Sequence, residues 1–488
     1  MSNGFSSLDW VVFLAYFLVL AISSYLFSRD KINSSREYFT SANQMPMLAV
    51  AISILATSQS AATFLGVPEF SYSHDFTFIG FYFSALLAVI FISLVFVPKF
   101  YELKVVTVYE LLENRYGESA KKQAGIMFLI GRVMASGARL YIGALAISMI
   151  LFLDIGFVHM ILSIFILVFG ALLYAYFGGV KSVILSDVIQ AFTYVGAGVI
   201  VLFYLYHSLG EINVLEVLEQ NSKLKFIDAS FDGKFGLIGL LSGWLLLNIA
   251  AFGLDQDMTQ RVLSCKNKND ASKSLILSIL LTIPIVLIFL GIGALLFVHY
   301  QSSEIVQNFE GEKISVFMYY ILNEMPDGLR ALVTVGAIAA ALSSTNSVLG
   351  AMASVTIEDL YKPYKLKQNP NSTEAHFVKA SRNAVLIFAV VLSLMAIVSY
   401  FWQRYSELSL IGFALGVMAF AYTGLLGVFF SAVFTKRGSA STVPFALAGG
   451  FLTVLALQPY SFGITIGFSW QIVLGTLVSF LVMQVKKA

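Results

Sequence analysis

The sequence predicts an all-α membrane protein that crosses the bilayer about thirteen times. Three observations predict it. Hydrophobic types make up 58% of the 488 residues and charged types only 12%, whereas a soluble chain carries roughly 25% charged residues. Little polar material remains to coat a water-facing surface, so lipid is the solvent for much of the chain. Apolar segments recur at the length a bilayer demands, about 20 residues each. Basic residues then alternate in density between successive loops.

In chain order the apolar segments fall at 8–27, 46–70, 76–102, 123–153, 156–178, 183–206, 235–256, 272–300, 328–358, 377–402, 405–434, 440–457 and 464–485, numbered here as spans one to thirteen. With the amino terminus outside, the cytoplasmic loops collect most of the 30 basic residues. The outer loops hold only Lys223, Lys225, Lys234, Lys313, Arg330 and Arg404, while Arg132 and Arg139 fall within span four. That asymmetry predicts an odd number of spans and a cytoplasmic carboxyl terminus. No Lys or Arg precedes the first apolar run, so it reads as a retained helix rather than a cleaved signal.

Other classes are disfavoured. The net charge of +2 gives no basic face for nucleic acid. The lone Cys265 provides no disulfide and no common zinc cluster. There is no P-loop, and no soluble stretch is long enough to fold alone. Five scattered histidines form no metal-ligand motif, so an enzyme is not indicated. A channel needs a continuous polar stripe, and the polar residues are clustered instead.

Four clusters lie where polarity is costly. Thr57, Ser58, Gln59, Ser60 and Thr63 interrupt span two. Such residues let a helix unwind where it lines a cavity, or let helices pack closely; both readings are open. Ser343, Ser344, Thr345, Asn346 and Ser347 follow an alanine run in span nine. They offer the oxygen ligands a hard cation wants, or again close packing. Asp187 lies about one turn inside span six, where a carboxylate needs a cation, a proton or a basic partner unless it snorkels. Arg132 and Arg139 are close to two turns apart and share a face. Arg132 is expected to reach the cytoplasmic interface. Arg139 lies deeper and suits either a bound carboxylate or an acid such as Asp187. Gly178-Gly179 reads as a tight turn between spans five and six. Asp255-Gln256-Asp257-Met258-Thr259-Gln260-Arg261 ends span seven and reads as an interfacial polar cap or a gate, and Asn248 as a mid-membrane polar group facing a cavity.

These clusters, in this order, resemble the sodium:solute symporter family over nearly the whole chain. Ser35-Arg36-Glu37-Tyr38-Phe39 is similar to the motif before its core. The stretch from Gly178-Gly179 to Asp187-Val188-Ile189-Gln190, the run Ala340-Ala341-Leu342-Ser343-Ser344, and Gln256 with Gln260-Arg261 resemble three more of its motifs. The resemblance implies a LeuT-type fold of two inverted five-helix repeats, at 46–206 and 235–434. A leading helix with its loop (1–45), an outer loop (207–234) and two trailing helices (435–488) complete the chain.

It also implies a main sodium site from Ala56 and Gln59 of span two and Ala340, Ser343 and Ser344 of span nine. A second sodium site, present in some members, would use Asp187, Asn346 and Ser347; those members have serine where Asn346 stands. One sodium ion or two are therefore implied. The solute pocket would be lined by Ser58, Ser60, Thr63, Phe78, Tyr82, Arg139 and Asn248. The implied activity is sodium-coupled import of a small organic solute by alternating access, in the plasma membrane, with a monomer sufficient. The span-two hydroxyls resemble those of sialic-acid transporters and Gly137-Ala138-Arg139-Leu140 resembles proline and pantothenate transporters, which implies a carboxylate: sialic acid, an amino acid such as proline, pantothenate or a monocarboxylate. A proton-coupled carrier using Asp187 and a sodium-coupled sugar transporter are the alternatives.

Overall fold

The computed structural model describes residues 5–486 except 30, 231–232, 301–304, 306, 311, 404–409 and 464–465. Arg404 and the first residues of the segments expected at 405–434 and 464–485 thus lie outside the described residues. The chain is mostly helical. Among the described residues, seven helices are long and apolar enough to cross a membrane, or nine if two sharply bent pairs each count as one. Three shorter apolar helices, Ala419–Phe434, Val443–Ala456 and Phe468–Gln484, lie towards the carboxyl end.

The helices sort into a centre and a rim. The first, Ser7–Phe27, starts with a capping box in which Ser6 and Asp9 satisfy each other's backbone amides. It turns Phe13, Tyr16 and Leu20 inward and leaves Leu8, Val11, Leu14 and Leu18 exposed. Its most apolar window is only 28% buried, whereas that of Leu329–Gln368 is 89% buried. Span nine is therefore the central post, and span one lies at the rim with an exposed apolar face. The small residues of span nine serve that position, because Gly, Ala and Ser let neighbouring backbones approach. A Cβ at Gly143 of span four would lie 3.1 Å from the Ala341 Cβ and 3.6 Å from the Ala61 Cβ. Spans two, four and nine thus converge on one point.

Spans five and six form one long element, Phe157–Ser208, of 52 residues. At about 1.5 Å per residue it greatly exceeds the bilayer core, so it must fold back. It does so at Gly179, whose φ of 57° and ψ of −154° interrupt the helix. A Cβ there would sit 2.4 Å from the Tyr38 carbonyl oxygen, so no other residue fits. The expected turn is a single glycine break rather than a loop.

The short helix Ser35–Thr40 lies against that break. The Tyr38 hydroxyl donates to the carbonyls of Ala175 and Tyr176. Ser35 donates its amide to Glu374 at 3.0 Å, and Lys362 reaches both Ser35 and Glu374 at 2.9 Å. This clasp joins the end of span five to the chain between spans nine and ten.

Candidate functional site

Span two is the first bent pair. Met47–Ser58 and Ala61–Ser73 meet at 65°. Gln59 and Ser60 between them are extended, with ψ of 149° and 172°. Extended residues cannot continue the i to i−4 ladder. Among the described residues no backbone amide closes onto the carbonyls of Ala56, Thr57 or Ser58. The polar run therefore marks a broken helix, the first of its two open readings. Exposed backbone at this depth is tolerated where it lines a cavity.

Span seven is the second bent pair, and here the structure corrects an expectation. Leu237–Gly253 and Gln256–Val262 meet at 57°, with Asp255 extended between them. The stretch from Asp255 to Arg261 is not an interfacial cap. Asp255, Asp257 and Arg261 are each no more than 1% exposed. Arg132 is likewise buried and does not reach the interface. It pairs with Asp255 at 3.1 Å and with Asp257. The Tyr422 hydroxyl also donates to Asp255. Burying these charges is tolerated because each has an opposite partner in contact.

Between the two breaks lies a cavity of about 850 Å³ of empty space. Ser58, Ser60, Thr63, Phe78, Tyr82, Arg139 and Asn248 all line it, so the seven residues expected around a solute come together. Arg132, Asp255 and Tyr422 line it as well. Phe78, Phe81 and Tyr82 make an aromatic wall, with ring centroids 5.3 to 6.0 Å apart. Asn248 donates to the Phe81 carbonyl at 3.3 Å, yet its own carbonyl oxygen accepts nothing among the described residues. A buried acceptor without a donor is costly, and a bound molecule or water would satisfy it.

Deeper in the molecule, Asp187 organises a second cluster. It is fully buried rather than snorkelling. Its partner is Arg261 at 3.0 Å. Ser53 donates to it at 2.5 Å, Ser343 at 2.8 Å and Thr57 at 3.5 Å. Ser347 stands 3.2 Å from the Thr57 hydroxyl, accepts from Arg261, and donates to the Asn346 side-chain oxygen. Ser343, implied for the main site, is therefore drawn in with Asp187, Asn346 and Ser347, the set implied for the second. The others are less gathered. Ser344 bonds back to the Ala341 carbonyl at 3.0 Å. The Gln59 side chain turns to Tyr82 and Tyr194, each at 3.4 Å, and not to span nine. Ala56 and Ala340 are buried and present only backbone oxygens. Among the described residues no group of three or more His, Cys, Asp or Glu side chains gathers. A cation here would rest on hydroxyl and carbonyl oxygens around one carboxylate, which suits a weakly held hard ion.

Ser53, Arg261, Asp255, Asp257 and Tyr422 were not among the expected site residues. The spacing of Ser53 and Thr57, one helical turn apart on the same face as each other, is the signal that points to Ser53.

Residues 38–451 match the sodium:solute symporter family. The sodium/sialic acid symporter NanT of Aliivibrio fischeri is 27% identical, covering 98% of this chain and 92% of its own. The sodium/sialic acid symporter SiaT of Proteus mirabilis is 25% identical over 97% of this chain and 94% of its own. Among solved structures, a Na⁺-coupled sialic acid symporter in a substrate-bound outward-open state superposes with a TM-score of 0.83. It covers 98% of this chain and 97% of that one at 23% identity, and so the two share a fold. A secondary transporter built around two broken helices is thus the class. The chain belongs to the sodium:solute symporter family. It is a membrane-embedded symporter that couples a small solute to sodium, and it is a transporter rather than an enzyme.

Proposed function

We propose that the protein imports a small carboxylate, of the sialic acid kind, together with sodium. The observation that carries this is the cavity between the two breaks, where Arg139 joins the hydroxyls of Ser58, Ser60 and Thr63 and the unsatisfied oxygen of Asn248. A guanidinium suits a carboxylate, and hydroxyl and amide groups suit a polyol or amide body. The named substrates of both curated relatives, sialic acids, carry these groups.

Sodium binds first, between spans two and nine. The free carbonyls of Ala56 and Gln59, with Ala340, Ser343 and Ser344, form the main site. Asp187, Asn346 and Ser347 form a second, so the number of ions is one or two. Solute then occupies the cavity, and one bundle rocks against the other. The bent spans stand first in the two repeats proposed at 46–206 and 235–434, which favours the inverted-repeat layout. Thirteen crossings put the amino terminus outside and the carboxyl terminus in the cytoplasm of a cell whose plasma membrane holds the protein. The membrane potential adds about 2.3 kcal/mol per charge per 100 mV.

Uptake into proteoliposomes tests this, with labelled N-acetylneuraminate, proline, pantothenate, lactate and glucose offered with and without a sodium gradient. Sodium-dependent uptake of an acid is expected, lost in Arg139→Ala. Uptake indifferent to both sodium and voltage, or preference for glucose, would overturn the reading.

A further inference from the structure

The two sites are joined by a continuous line of buried charge. Arg132 and Asp255 line the large cavity. Arg261, with Asn346 and Ser347, lines a smaller one of about 260 Å³ on the other side of the Asp187 cluster. Asp257 stands between them. One of its carboxylate oxygens holds Arg132, and the other holds Arg261 at 3.1 Å. Arg261 also donates to the Asp257 backbone carbonyl at 2.7 Å and continues to Asp187 at 3.0 Å. Asp187 then accepts from Ser343 of the central span at 2.8 Å. Asp255, Asp257, Arg261 and Asp187 are at most 1% exposed, and Arg132 is 4% exposed.

Two physical features make this more than a set of static ion pairs. First, three carboxylates share two guanidiniums by direct ion pairs, so these contacts compete with one another. In a low-dielectric interior a cation arriving at one end therefore redistributes the pairs along the line. Second, Asp257 sits in the first turn of Gln256–Val262, directly after the break. Any change in the angle of span seven moves its carboxylate against Arg132, which is fixed on span four. Both guanidiniums pull on the same group, so a closer hold by one loosens the hold of the other.

We infer that Asp257 is a positioning residue that transmits the state of the ion cluster to the solute cavity. A cation beside Asp187 competes with Arg261 for that carboxylate. Arg261 shifts its charge towards Asp257, Asp257 relaxes its grip on Arg132, and the cavity rim formed by Arg132, Asp255 and Tyr422 resets. By reciprocity, solute at the rim changes the affinity for the cation by the same factor. This rests on the Asp187 cluster being an ion site.

The lone cysteine, Cys265, is buried, so a cysteine placed in the cavity is read alone. In Ala251→Cys, on the cavity wall, the rate of labelling by N-ethylmaleimide is measured in sodium chloride and in choline chloride. Sodium should change that rate about five-fold or more. Adding Asp257→Asn should cut the change to less than about two-fold. A full response in that variant, or no response in Ala251→Cys itself, overturns the inference. If Asp257→Asn alone does not fold, Arg132→Gln with Asp255→Asn and Asp257→Asn removes that guanidinium together with both its carboxylates and leaves Arg261 paired with Asp187; it should be uncoupled in the same way. Ser343→Ala separates the two ideas. An unchanged sodium response there means that the ion reading has failed. Loss in Ser343→Ala with retention in Asp257→Asn sinks only the bridge.

Discussion

The two broken spans solve the same problem with opposite chemistry. Span two breaks at neutral residues, Gln59 and Ser60, and leaves its carbonyls open. Span seven breaks at an acid, Asp255, whose side chain caps the following half-helix by accepting from the Asp257 amide. The first break presents negative ends of dipoles to whatever enters. The second is closed by its own carboxylates and by Arg132 and Arg261. One break is therefore open, and the other is a bend held by charge. Small hydroxyl and amide residues mark the first kind, and an acid pair with a distant arginine marks the second.

Breaking the closed bend should have the largest effect. Arg132→Ala leaves Asp255 and Asp257 buried together without that guanidinium, a change that typically costs about 3–5 kcal/mol. Loss of a monodisperse peak, or a steep fall in melting temperature in detergent, is the expected result; unchanged melting would mean the pair is dispensable. At the open break the fold should survive while binding suffers. Ser343→Ala removes a hydrogen bond to a charged group, worth about 1.5–3 kcal/mol, and should raise the half-saturating sodium concentration about ten-fold or more. Asn248→Ala takes away an acceptor already without a protein donor, so stability should hold while half-saturating solute rises several-fold. Tyr422→Phe should be mildest for transport, because Asp255 keeps Arg132. It removes a hydroxyl donor from a buried carboxylate, worth about 1.5–3 kcal/mol, seen as a drop in melting temperature with a small change in half-saturating solute.

Much of this was legible in the sequence. Hydropathy located the helices, because a bilayer-length apolar run has few other uses. The polar run in span two was also visible, as five polar residues within a mid-membrane segment, though it left a break and close packing equally open. The break in span seven was not, for a physical reason. A cluster of charge at the end of an apolar run reads as the membrane boundary, and only its partners reveal that the cluster continues inward. The partner of Asp257 is 125 residues away, on span four. Arg132 was misread for the same reason: a lone arginine near a helix end snorkels unless an acid elsewhere claims it. Ser53 gave only the weak signal of its one-turn spacing from Thr57, because a serine in an apolar helix is ordinary. Its role appears only when Asp187 of span six and Arg261 of span seven converge on it.

The clasp at Ser35–Thr40 bears on how such a molecule moves. Tyr38 is fastened to the carbonyls at the fold-back of spans five and six, and a backbone that only glycine permits lies against it. Ser35 is fastened through Glu374 and Lys362 to the start of span ten. These contacts tie the pieces into one block. The joints of the transport cycle then lie elsewhere, in the two bends, and the protein resembles a pair of elbows set on a common wrist.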